Sequence, residues 1–130
     1  MSYHFSKTVE MPIDDAVAAT VEALKKHGFG VLTEIDVQKT LKGKLDVNFR
    51  PYRILGACNP KFAYQALQAE DKIGTMLPCN VVLQEQQPGR TEISAIDPIA
   101  SMQAIDNPKL GDVAVTVQSL LKQVIADIGK

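Results

Sequence analysis

The sequence predicts an α+β fold, a mainly antiparallel sheet of about five strands with two long helices on one face and short helical inserts between strands. Three observations carry that prediction. Residues 3–9 alternate, placing Tyr3, Phe5 and Val9 on one side and His4, Ser6 and Thr8 on the other, the period of a half-buried strand. Two stretches, one early and one at the end, repeat apolar residues at helical spacing. Between them lie short segments rich in strand formers, punctuated by Asn-Pro and Pro-Gly.

After the first strand, Pro12 suits a first helical turn, and Asp14 and Asp15 oppose the positive end of the helix dipole. Ile13, Val17, Val21 and Leu24 form the buried stripe, Lys25, Lys26 and His27 suit the negative end, and Gly28 terminates the helix. A second strand is expected over about Phe29 to Asp36. Val37 to Asp46 alternates charge around Leu41 and Leu45, with Gly43 weakening it, and supports no more than a short surface helix. Tyr52 to Ala57 makes a third strand between Pro51 and Gly56. Asn59-Pro60 is a cap-plus-proline helix start, with Phe62, Ala63, Ala66 and Leu67 as the buried stripe. Asn80 to Glu85 and Arg90 to Ile96 are two more strands, joined as a hairpin through Gln86-Gln87-Pro88-Gly89. Asn107-Pro108 then opens the strongest helix, whose stripe runs through Leu110, Val113, Val117, Leu120, Leu121, Val124 and Ile128.

At 130 residues the chain is expected to be a single domain, residues 1–130, able to bury roughly two-thirds of its unfolded surface without a metal or disulfide. Lys and Arg total 14 against 15 Asp and Glu. This balance offers no field for phosphate backbones, and the basic residues are scattered, so a nucleic-acid partner is not expected. No stretch has the apolar length of a signal peptide or a bilayer span, and the only cysteines are Cys58 and Cys79. The expected state is a soluble protein with free thiols in the cytoplasm and no membrane partner.

Cys58 and Cys79 are the first candidate site. One closes a strand and the other opens the next, so antiparallel pairing would bring their ends together. Cys58 also precedes a helix start at Asn59, the kind of electropositive position that reactive thiols occupy. Met102, in the segment after Asp97-Pro98, becomes a third soft donor if that loop folds back over the same sheet edge, and thiolate with thioether suits Cu(I). Set against this, unpaired cysteines are usually small core residues and loop methionines usually gap fillers. Arg50, Tyr52 and Arg53 form a candidate anion subsite at the start of the third strand, the alternative being a solvated strand end. His4 and His27 are too far apart for a zinc site, and Asp36, Asp46 and Asp97 fit turn and capping roles. No nucleotide, hydrolase or zinc-protease motif occurs, so neither a catalytic residue nor a cofactor is assigned.

The pieces Gly56-Ala57-Cys58-Asn59-Pro60, Leu77-Pro78-Cys79-Asn80-Val81-Val82 and Asp97-Pro98, followed by the terminal helix, resemble the prokaryotic family called "domain of unknown function 302" over nearly the whole chain. The resemblance implies a two-layer fold similar to the TATA-binding-protein-like class, a curved sheet packed on a long helix. It implies architecture without DNA binding and supplies no catalytic residues.

The function expected from these readings is a small ligand-binding or accessory domain. Its site would be either the gap between sheet and terminal helix or the uncovered sheet face, with His4, Thr8, Leu32, Leu55 and Leu83 on or near that face depending on register. A small molecule or a second copy of the chain, giving a homodimer, is the expected partner. The alternative is a thiol-redox or soft-metal protein working through Cys58 and Cys79.

Overall fold

Five strands, β1 (His4–Val9), β2 (Gly30–Asp36), β3 (Tyr52–Cys58), β4 (Cys79–Gln87) and β5 (Arg90–Ile96), join in one sheet of order β1-β5-β4-β3-β2. Every neighbouring pair is antiparallel. The computed structural model describes residues 2–129; Met1 and Lys130, the ends of the expected domain, lie outside the described residues.

The two long helices, α1 (Ile13–Lys26) and α5 (Lys109–Asp127), pack on the same sheet face and on each other, as the two apolar stripes require. α1 ends where Gly28 adopts φ +84°, with the Gly28 and Phe29 N–H groups donating to Lys25 O and Leu24 O. That left-handed residue is where glycine is cheapest. α1 starts without a side-chain cap of its own. Instead, Glu85 of β4 accepts from Ile13 N at 2.7 Å and from Gly89 N at 3.1 Å, tying the helix start to the β4–β5 turn. Lys7 of β1 donates to Ala126 O and Ile128 O at the far end of α5.

α2 (Val37–Leu45) buries none of its residues and is the surface helix its charge pattern predicts. Asp36 caps it by accepting from Lys39 N, and Asp46 ends it at φ 52°. α3 (Pro60–Ala69), a 3-10 turn (Asp71–Met76) and the four-residue α4 (Pro98–Ser101) are the remaining helical inserts.

Strand register decides which residues meet the helices. Leu55 pairs with Val81 and Leu83 with Ile93, and all four are 0% exposed beneath α1 and α5. Leu55 and Leu83 therefore belong to the core, which settles the register on which their expected place on or near the outer face depended. A one-position shift in period two reverses every side chain. His4 and Thr8 do sit on the open face, and Leu32 stands out at 66% exposure where β2 bulges between Val31 and Thr33. Tyr3, expected on the inward side with Phe5, lies before β1 and is 64% exposed.

Two apolar clusters result. The main one fills the space between the sheet and α1 with α5. A smaller one gathers Ala66 of α3, Ile73 of the 3-10 turn and Leu110 of α5, with Leu77, Met102 and Ile105 packed around them.

Candidate functional site

A cavity of about 310 Å³ lies between these two clusters. One wall is the end of the sheet, with Phe29, Cys58 and Cys79, and the other is the packed pair α3 and α5. Its origin is legible in side-chain size. Ala63 and Ala66 of α3 face Ala114 of α5 with Gly74 beside them, and residues this small leave space between helices that Leu or Phe would fill.

α3 explains the position of the cavity. Its apolar stripe is expected to be buried, yet only Ala66 is; Phe62 and Ala63 are half-buried and Leu67 is 44% exposed, because the stripe borders the cavity as well as the packed clusters. Asn59 stands at the helix start as the sequence suggests, but its side chain makes no capping hydrogen bond. Its Nδ2 points toward the α1–β2 turn, donating to His27 O at 3.4 Å. Across the cavity, Asp97 accepts from Ile99 N at 2.9 Å and from Gln118 Nε2 at 3.1 Å, pinning α4 to α5 and seating Pro98 in the wall.

Cys58, Asn59, Cys79 and Met102 all line this one cavity. The strand ends meet as antiparallel pairing demands, but Cys79 lies opposite Ala57, one position from Cys58. Both thiols are free. Burial pushes the Cys79 thiol up from its ordinary value of 9.0 to about 11, and the neighbouring Cys58 adds in the same direction. Among the described residues, no three His, Cys, Asp or Glu side chains gather as a metal-ligand set. Nor does any buried side-chain nitrogen or oxygen among them lack a hydrogen-bond partner.

The two arginines are not part of this site, nor does the structure bring them together. Arg53 faces α1, where Asp14 at 2.6 Å, Glu34 at 3.3 Å and Asp36 at 3.9 Å surround its guanidinium. Arg50 turns to the open face, its Nε donating to Gln84 at 2.9 Å and its guanidinium 4.4 Å from the Phe49 ring centroid, with Tyr52 beyond at 5.8 Å. His4 hydrogen-bonds Ser6 on the open face, while His27 reaches Asp127 at 2.7 Å and links the ends of α1 and α5.

Sequence reasoning missed most of the wall. Phe29 reads there as a strand start and Leu67 and Val117 as buried helix stripe, Leu77 and Ala114 carry no site role, and nothing in their local pattern marks an empty space. The run of alanines on α3 opposite Ala114 is the one usable signal.

A two-layer α+β domain with an apolar pocket at one end of the sheet is the class of protein these features define. Residues 5–128 match the family model "Domain of unknown function DUF302", and the chain belongs to that family. It is similar to a crystal structure of an uncharacterized conserved DUF302 protein from Bacillus stearothermophilus, with 28% sequence identity, a TM-score of 0.90, and 98% of this chain and 99% of that chain covered. No curated protein matches the chain. Among the described residues no helix is long and apolar enough to cross a membrane.

Proposed function

We propose that the protein is a binding domain for a small, largely apolar molecule held between the sheet end, α3 and α5. The observation that carries this reading is the cavity itself, about 310 Å³ and lined by apolar side chains and two thiols, with Asn59 the one amide. That volume is the space of about ten waters and stands at the lower end of small-molecule sites. No charged side chain lines it among the described residues, and a charge placed there without a partner would cost several kcal/mol. The part of the ligand that enters is therefore neutral. The fluorescent probe 1-aminoanthracene tests this: the wild type should take it up, and Ala63→Phe, which fills the cavity, should lose uptake while keeping its circular dichroism. Uptake that Ala63→Phe leaves unchanged, or no uptake at all, removes the reading.

A second reading is favoured by one observation, that the sulfur atoms of Cys58, Cys79 and Met102 belong to residues of the same cavity. With no imidazole or carboxylate in the wall, the donors are all soft and suit Cu(I). Binding would displace the Cys79 proton. Anaerobic Cu(I) titration against a chromophoric chelator should show one ion per chain, with affinity lost in Cys58→Ser and weakened in Met102→Leu; equal titrations of all three proteins end this reading. The compartment that fits two free thiols is the cytoplasm. A second copy of the chain would pair along β2, whose Leu32 and Ile35 are exposed, and sedimentation velocity checks this directly.

A further inference from the structure

The rim of the cavity differs from its interior in charge, and that difference bears on the polar end of a ligand. Leu32 and Leu67 line the cavity while remaining 66% and 44% exposed, so its apolar surface continues outward to solvent. Phe62 also lines it, and the Lys61 ammonium lies 5.5 Å from the Phe62 ring centroid. Among the described residues no carboxylate pairs with Lys61. The first turn of α3, uncapped by Asn59, adds partial charge of the same sign at this edge.

Resting on the reading of the cavity as a small-molecule site, we propose that its ligand is an aliphatic carboxylate, with the chain inside and the carboxylate at the rim beside Lys61. An uncharged interior accepts methylenes and rejects the head group, and a cation beside a residue of the apolar wall favours an anion over a neutral or cationic head group. Burying each methylene should tighten binding about fourfold until the cavity is full. The exposed Lys61 should contribute about two- to fivefold, less at high salt.

Calorimetric titration with octanoate, octanol and octylammonium, which share one tail, separates the two claims, and hexanoate gives the increment per methylene. Octanoate should bind tightest and octylammonium weakest. Lys61→Ala should bring octanoate down to the level of octanol without moving octanol. If octylammonium binds as well as octanoate, or if Lys61→Ala leaves octanoate unchanged, the carboxylate assignment is overturned and the apolar site stands. If none of the three binds, both fall.

Discussion

Replacing Leu121 by alanine should be the most damaging aliphatic truncation on α5, and the comparison with its neighbour makes the point sharp. Leu121 is 0% exposed in the main cluster, wedged between the sheet and α1, while Leu120 is only partly buried against the same cluster. Truncation removes three carbons, about 2.4 kcal/mol of transfer energy at about 0.8 per methylene. Sheet and helix are both held by hydrogen bonds and cannot collapse far, so a residual void of roughly 60 Å³ at about 24 cal/mol per Å³ adds about 1.5 kcal/mol. The sum, about 4 kcal/mol, is a large share of the 5–15 kcal/mol typical of a domain. Leu120→Ala opens no enclosed void and should cost about 1 kcal/mol. In urea, at a slope of about 1.5 kcal/mol per molar, the midpoints should fall by nearly 3 M and by under 1 M respectively. Equal shifts, or a larger one at Leu120, would refute the orientation of α5, because one residue is a rotation of about 100° about the helix axis.

Two further outcomes follow from single side chains. The Cys79 thiol stays protonated in the folded protein where an unfolded thiol has ionised, so its contribution is full below about pH 9 and is lost as pH rises through about 11. Over that window the wild type should lose about 2–3 kcal/mol more than Cys79→Ala, read from denaturant melts at each pH; parallel curves would contradict the burial of the thiol. Glu85→Ala leaves Ile13 N and Gly89 N without their acceptor. It should cost about 1–3 kcal/mol, with Glu85→Gln intermediate, and hydrogen exchange at Ile13 should rise in both.

Gly56 shows why some of the quoted sequence pieces stay together. It pairs with Thr33 on one side and Asn80 on the other, and a Cβ there would collide with Thr33 Oγ1 and stand 2.7 Å from Pro78 Cγ. Pro78 is itself cavity wall, so the close approach of β3 to the segment before β4 sets the position of Cys79 as well. The Gly56-to-Pro60 and Leu77-to-Val82 pieces are thus two sides of one contact, and the pocket is built at its edge.

The sequence by itself determined the five strands, the two long helices, α2, α3 and their order, though not the 3-10 turn or α4, because period, caps and turn residues are local. Asn107-Pro108, the stripe ending in Val124 and Ile128, the Pro88-Gly89 turn and the alternation in β1 each report on neighbours within a few positions. It also put Cys58 and Cys79 at the ends of successive strands, while whether those ends meet and whether the Met102 segment returns to the same edge were left to the pairing of the strands. Tertiary structure alone decided the rest. Register, a long-range property, sent Leu55 and Leu83 inward and separated Arg53 from Arg50 by turning them to opposite faces. The cavity is a space that no residue encodes locally: it exists because Ala63, Ala66 and Ala114 meet across two helices that only the folded chain brings together.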